Sequence, residues 1–268
     1  MLTSIRSLTA AVALSGGALL ATPALADDPP AAAPALTING TAAVVSQYRF
    51  RGLAQSDNQP VFQGSITLAH KSGFYLATWG SSASAGSAPI NIGGTEIDIY
   101  GGWTHPIGKS GVKVDMGVYG YLYPGASAGN YYEVYGSVAD SFGPVTAKVG
   151  ANFAPDQKVF RYNFTSPTQK NLYVYGELGA AIPKTGLSLH SHLGHTGGGF
   201  DWGQDYIDYT VGATYTWRNL AFDASFVGTK LSRSDINRGF GCAGNPACIS
   251  SYYRMSKPVA VFSLTASF

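Results

Sequence analysis

Apolar and polar residues alternate with a period of two along most of the chain. Glu96, Asp98, Tyr100 and Gly102 share one face of a segment whose other face is Ile97, Ile99, Gly101 and Trp103. Further on, Val112, Val114, Met116, Val118 and Leu122 oppose Lys113, Asp115, Tyr119, Tyr121 and Tyr123. The pattern returns with Leu172, Val174 and Leu178 against Tyr173, Tyr175 and Glu177, with Val211 and Ala213 against Asp208, Thr210 and Thr214, and with Phe222 and Phe226 against Asp223. A helix would scatter such residues around its circumference, whereas a strand sorts them onto two faces. The alternation predicts twelve strands, near 40–51, 61–70, 73–81, 95–105, 111–123, 131–141, 144–154, 170–182, 186–195, 205–217, 219–230 and 257–268.

The connections between these strands alternate in length. Short ones fall at 71–73, 106–110, 142–143, 183–185 and 218, and longer ones at 52–60, 82–94, 124–130, 155–169, 196–204 and 231–256. This rhythm around an even strand number predicts an all-β fold, an antiparallel transmembrane β-barrel of about twelve strands with short periplasmic turns and longer extracellular loops. Pro60, Pro106, Pro124, Pro144, Pro155, Pro183 and Pro258 fall at or beyond strand ends, where a residue without an N–H does least damage to a ladder. Trp79, Trp103 and Trp217 fall near strand ends, where interfacial aromatic girdles belong. In the last strand Phe262, Leu264 and Phe268 share a face, and this looks like the C-terminal signal by which the barrel assembly machinery of the outer membrane recognises its substrates.

Composition separates a soluble from a membrane reading. Charged residues are 12% of the chain, about half of the usual share of roughly 25%. After residue 26 no apolar run approaches the roughly 18 residues of a membrane-spanning helix, so strands would have to do the crossing. Residues 1–26 have the form of a secretory signal peptide: Arg6, a short apolar run from Leu8 to Leu20, and Ala24-Leu25-Ala26 before Asp27. Residues 27–36, rich in Pro and Ala, are expected to be a disordered mature N-terminus, which leaves 37–268 for the barrel. The expected location is therefore the outer membrane of a Gram-negative bacterium, with outer-membrane lipid as a partner. A formal charge of +2 without basic clusters gives no reason to expect nucleic acid. Cys242 and Cys248 stand six apart in an exported chain and are expected to form a disulfide pinning the loop at 231–256, since no further ligands accompany them for a metal.

Several stretches resemble the TorF-like family of porin candidates, proteobacterial proteins without an assigned function. The likeness is carried by Ser46-Gln47-Tyr48-Arg49-Phe50-Arg51-Gly52, Ser72-Gly73-Phe74-Tyr75, Glu96-Ile97-Asp98-Ile99-Tyr100, Tyr121-Leu122-Tyr123-Pro124-Gly125 and Tyr131-Tyr132-Glu133-Val134-Tyr135. It covers most of the mature chain and is densest from 46 to 137; the cysteine-bearing loop is not part of it. The resemblance implies an outer-membrane barrel and a porin role, and supplies no substrate.

If the apolar faces meet lipid, Arg49, Arg51, Glu96, Asp98, Lys113, Asp115, Glu133, Lys148, Glu177, Asp208 and Asp223 line the lumen, together with His190, His192 and several tyrosines. A twelve-stranded lumen lies between side-chain-filled barrels and wide porins, so such residues could select small hydrophilic solutes by size and charge. Arg49 and Arg51 are the first candidates for a selectivity element, with pairing to Glu96, Asp98 or Asp57 as their structural alternative. Opposite charges such as Glu133 and Lys148 could equally pair and plug the lumen. Beside the passive channel, two readings stay open: a plugged or adhesive barrel acting through its loops, and, least favoured, a hydrolase. For the last, His190-Ser191-His192 is the one suggestive cluster, but in a strand Ser191 faces away from both histidines. No catalytic residue, metal or cofactor is expected.

Overall fold

In the computed structural model the period-two segments become strands, and the structure describes residues 34–84, 92–108, 110–162, 170–200, 204–239, 242 and 244–268. Residues 1–26 and most of 27–36 lie outside them, as do parts of the connections at 82–94, 155–169, 196–204 and 231–256. The strands are β1 (Leu36–Val45), β2 (Arg49–Phe50), β3 (Leu53–Ala54), β4 (Val61–His70), β5 (Phe74–Ser82), β6 (Thr95–Pro106), β7 (Lys113–Leu122), β8 (Tyr131–Phe142), β9 (Val145–Ala154), β10 (Asn171–Ala181), β11 (Leu187–Gly198), β12 (Tyr206–Trp217), β13 (Leu220–Thr229) and β14 (Val259–Ser267).

All but β2 and β3 form one closed antiparallel barrel of twelve strands. Closure falls on β1, which pairs on one edge with β4 (Leu36↔His70 to Val45↔Val61) and on the other with β14 (Thr41↔Ser267 to Val45↔Ser263). Beyond the ladder, Gly40 and Phe268 exchange backbone hydrogen bonds of 2.9 and 3.0 Å. The short connections gather at the end where β1 starts and β14 finishes, here called the turn end. The long ones gather at the opposite, loop end.

One parity of each strand is apolar and faces outward. Phe62 is 73% exposed, Val149 63%, Leu193 57% and Phe262 58%, and every barrel strand contributes at least one such side chain. This much apolar surface on a monomer is far more than scattered exposure explains and marks a surface built for an apolar surrounding. The other parity is polar and aromatic and turns inward, with tyrosine rings lying over glycines: a Cβ on Gly150 would strike the ring of Tyr175, and one on Gly194 that of Tyr173.

Two elements depart from the sequence expectation. The first strand runs from 36 to 45 rather than 40–51, because the chain leaves the wall after Ser46 and turns into the lumen as the hairpin β2–β3. Arg51 (φ 47°) and Gly52 (φ 79°) are both left-handed and form a two-residue turn between the paired Phe50 and Leu53, the primed geometry that matches strand twist. Tyr48-Arg49-Phe50 keeps the period-two pattern and so reads as wall. Gly52 is also needed for space, since a Cβ there would lie 2.8 Å from the Gly228 carbonyl oxygen of β13.

The second departure is the connection at 231–256, which reads as a loop and folds as α1 (Arg233–Gly239) and α2 (Pro246–Ser256). Ser232 and Asp235 cap α1 reciprocally: the Ser232 amide donates to Asp235 Oδ2 (2.8 Å) and the Asp235 amide to Ser232 Oγ (3.2 Å). Asn245 caps α2, accepting from the amides of Ala247 and Cys248, and Pro246 starts it. Cys242 and Cys248 are disulfide-bonded, as the sequence predicts. Met255 and Leu231 pack on Leu53, Ala54 and Tyr206, so this cap sits directly on the inserted hairpin.

Candidate functional site

The inward parity of the strands and the inserted hairpin build one polar interior. Glu96 and Asp98 (β6), Asp115 (β7), Glu133 (β8), Lys148 (β9), Glu177 (β10), Asp208 (β12) and Asp223 (β13) all lie on inward parity. Lys113 shares that parity but sits exposed at the turn end.

The hairpin carries the two arginines. Arg51 is buried and its Nη2 donates to both oxygens of Glu133, at 2.8 and 2.6 Å. Glu133 also accepts from Tyr121 (3.2 Å) and Asn152 (3.0 Å), and the Arg51 guanidinium lies over the Tyr173 ring at 4.2 Å. Burial alone would lower the Arg51 pKa, but the Glu133 carboxylate holds it well above its ordinary value. Arg49 has no carboxylate within 4.0 Å among the described residues. It donates to backbone carbonyl oxygens of Met255 (2.5 Å) and Gly52 (3.1 Å) and to side-chain oxygens of Gln47 and Asn58, and burial lowers its pKa to about 10.

These partners correct three pairings. Arg51 meets Glu133 rather than Glu96, Asp98 or Asp57; Arg49 ties the hairpin to the end of α2; and Asp57 pairs with Arg254 at 2.5 Å. Glu133 and Lys148 do not pair, because Lys148 stands opposite Ala139, six residues along β8 from Glu133, or about 20 Å at strand spacing. Lys148 instead faces its cross-strand neighbour Glu177 at 3.4 Å.

The β10–β13 wall holds two histidine clusters. His192 lies between Glu177 (3.4 Å) and Asp208 (3.2 Å), with the Tyr173 hydroxyl 2.6 Å from its Nε2. His190 Nε2 lies 2.8 Å from Asp223 Oδ2, and Ser225 and Thr214 donate to the same carboxylate. Ser191 is on the opposite parity, as the sequence predicts. Ser225 Oγ does come within 3.4 Å of His190 Nε2, a neighbour missed in the sequence because it lies two strands away. However, Asp223 and Ser225 share one ring nitrogen of His190, whereas a relay needs the acid and the hydroxyl on different nitrogens.

The β5–β8 wall is tyrosine-rich. Tyr100, Tyr119, Tyr121 and Tyr131 follow one another with ring centroids 4.5, 4.6 and 4.2 Å apart. Tyr119 donates to Asp98 Oδ2 (2.9 Å), Tyr48 to Glu96 Oε1 (3.1 Å) and Tyr75 to Asp115 Oδ1 (2.8 Å), while the Tyr75 and Tyr135 hydroxyls also touch.

Residues 30–268 match the family model described as bacterial protein of unknown function (Gcw_chp). The chain belongs to this family. No curated protein matches it. Among solved structures, a porin is 9% identical over 87% of this chain and 100% of its own, with a TM-score of 0.39. Salmonella typhi OmpF, in complex with daunomycin, is 8% identical over 87% of this chain and 97% of its own (TM-score 0.42). OccD1 (OprD) is 10% identical over 86% of this chain and 65% of its own (TM-score 0.42). At such identities these matches carry nothing about solute or activity, and the barrel itself rests on the strand pairing of the Gcw_chp chain.

Proposed function

We propose that this Gcw_chp protein is an outer-membrane channel of the porin type, close to the TorF-like family, which passes small hydrophilic solutes through the barrel. The supporting observation is the sorting of side chains on one closed twelve-strand wall: an apolar belt outside and carboxylates, histidines and tyrosines inside. In this reading residues 1–26 are cleaved on export, and Phe262, Leu264 and Phe268 meet lipid and serve as the assembly signal. The long-loop end is extracellular. The hairpin at Arg49–Ala54 narrows the extracellular mouth, and the inward charged residues meet the solute.

Planar-bilayer recording of the refolded protein tests this. Stepwise conductance is expected; a bilayer that stays silent across the voltage range overturns the channel. That silence would favour the second reading, a plugged recognition barrel, which has its own support in the burial of Arg51 against Glu133 and in the helical cap fixed over the hairpin. A hydrolase is not favoured by the shared nitrogen of His190.

A further inference from the structure

The lumen is filled towards one end and more open towards the other. In its loop-end half Glu133, Asn171 and Thr196 are 0% exposed, and Tyr173 and Asp208 are buried as well. Nearer the turn end, on the same inward parity, the side chains of Lys148 and Glu177 are 35% and 31% exposed. The β2–β3 hairpin lies only in the filled half, with Arg51 on Glu133 and over the Tyr173 ring.

The hairpin is seated there without being part of the wall. β2 and β3 pair with each other in a two-stranded sheet separate from the barrel ladder. One backbone bond, from the Ser84 N–H to the Gln55 carbonyl oxygen, joins its base to the chain after β5. Otherwise it is fastened at two points. On the wall, Arg51 grips Glu133 of β8. On the cap, Arg49 Nη1 donates to the Met255 carbonyl oxygen at 2.5 Å, and Leu53 and Ala54 rest on Leu231 and Met255. Such contacts can part without unzipping any strand of the barrel.

Two features of the tip point to a latch rather than a fixed plug. The first is backbone strain. Among the described residues five other than glycine have a positive φ, and three of them, Arg51 (47°), Asp57 (50°) and Asn58 (61°), lie in this excursion. Asp and Asn tolerate that region, whereas arginine enters it seldom, and a primed two-residue turn ordinarily opens with Asn, Asp or Gly. Arg51 occupies an unfavourable position that its guanidinium contacts with Glu133 and Tyr173 stabilise.

The second feature is the kind of bond. A buried ion pair secures a hairpin no better than packed apolar side chains would, because its attraction must offset the desolvation of both ions. Its advantage lies in release. Once apart, each ion is solvated by water, so the separated state avoids the cost of exposing apolar surface.

We propose that the hairpin is a gate, latched to the wall by Arg51 and to the end of α2 by Arg49. Seated, it leaves the barrel in a low-conducting state; lifted, it joins the loop end to the part of the lumen already open at the turn end. The Arg49 latch ties the position of the gate to that of α2. This inference rests on the channel reading and adds its regulation.

The test is single-channel recording of the full-length refolded protein in a planar bilayer under symmetric KCl. The wild type should stay mostly at a low level and step briefly to a higher one. Arg51→Glu and Glu133→Arg, which each set like charges face to face, should raise the time at the upper level by about tenfold or more. Arg51→Glu combined with Glu133→Arg should return it towards the wild-type value; a double variant as open as the single ones overturns the latch. Arg49→Ala keeps the clasp on Glu133, cuts the bond to α2 and should also lengthen the upper level. Wild-type dwell times in that variant overturn the tie to the cap. A wild type that holds one steady level overturns the gate and leaves the channel standing. Silence from the wild type and from every variant removes the channel reading and the gate together. Because the wild-type record needs no substitution, a variant that fails to fold leaves the gate testable.

Discussion

One nitrogen of Arg51 serves both oxygens of Glu133, at 2.8 and 2.6 Å, and both side chains are out of solvent. The pair fastens the tip of a hairpin that leaves the wall after β1 to a strand on another side of the barrel. Removing one partner of such a buried pair leaves the other uncompensated and costs about 3–5 kcal/mol. Arg51→Ala and Glu133→Ala should each destabilise the protein on that scale, and the double variant by less than the sum. Urea unfolding followed by tryptophan fluorescence gives the cycle; strict additivity would show that the pair does not couple the hairpin to the wall.

If the hairpin narrows the mouth, releasing it should widen the path. Arg51→Ala is expected to raise single-channel conductance relative to wild type. An unchanged conductance in a correctly folded variant would take the hairpin out of the conducting route.

Gly52 combines a left-handed φ of 79° with a Cβ position 2.8 Å from the Gly228 carbonyl oxygen and 2.6 Å from Thr229 Cγ2. Gly52→Ala should cost about 1–3 kcal/mol, from the strained backbone and the displacement of β13. Limited proteolysis at 46–60 should be faster in the variant; a wild-type rate would show that the turn relaxes at no cost.

The disulfide closes a short loop within the cap, so its loss should cost about 2 kcal/mol by the loop-entropy relation. Because the bridge spans only residues 242 to 248, Cys242→Ser with Cys248→Ser should loosen α2 without dissolving the barrel. Unchanged β-type circular dichroism with faster cleavage at 231–256 is the expected pair of results.

Acid should fray α1. Slight burial raises the Asp235 pKa, but hydrogen bonds with Ser232 and the nearby Arg238 outweigh it and hold the group below the usual carboxylate value. A carboxyl depressed in the folded state stabilises above its unfolded pKa, and that stabilisation fades as pH falls towards the folded value. Amide exchange in α1 should therefore quicken below about pH 4 in the wild type. Asp235→Asn should flatten the dependence.

The strands were legible because parity survives in every wall segment, from Ile97 and Ile99 to Phe222 and Phe226. Most boundaries fall within a few residues of the observed ones, and the inward set was readable for the same reason. What escaped was non-local or masked by pattern. Tyr48-Arg49-Phe50-Arg51 alternates like a wall strand, and only the Arg51-Gly52 turn betrays the hairpin. The Arg51–Glu133 pair joins residues 82 positions apart, which spacing cannot reveal. Lys148–Glu177 needed only the register of β9 against β10, which the long connection at 155–169 leaves undetermined from sequence. The helices of the cap were hidden by the Gly, Asn and Pro around Cys242, residues that read as loop although Asn245 and Pro246 in fact open a helix.

The seam of the barrel has a consequence for how the chain must fold. Ser46 donates its backbone N–H to the Phe262 carbonyl oxygen and accepts from the Phe262 amide, across 216 residues. One edge of β1 finds β4 at once, but its other edge stays open until β14 arrives. Eleven neighbouring hairpin contacts can form locally while this last join waits for nearly the whole sequence. Ring closure is then the slow, entropically late step, and until it happens the open edges of β1 and β14 are where another chain could insert.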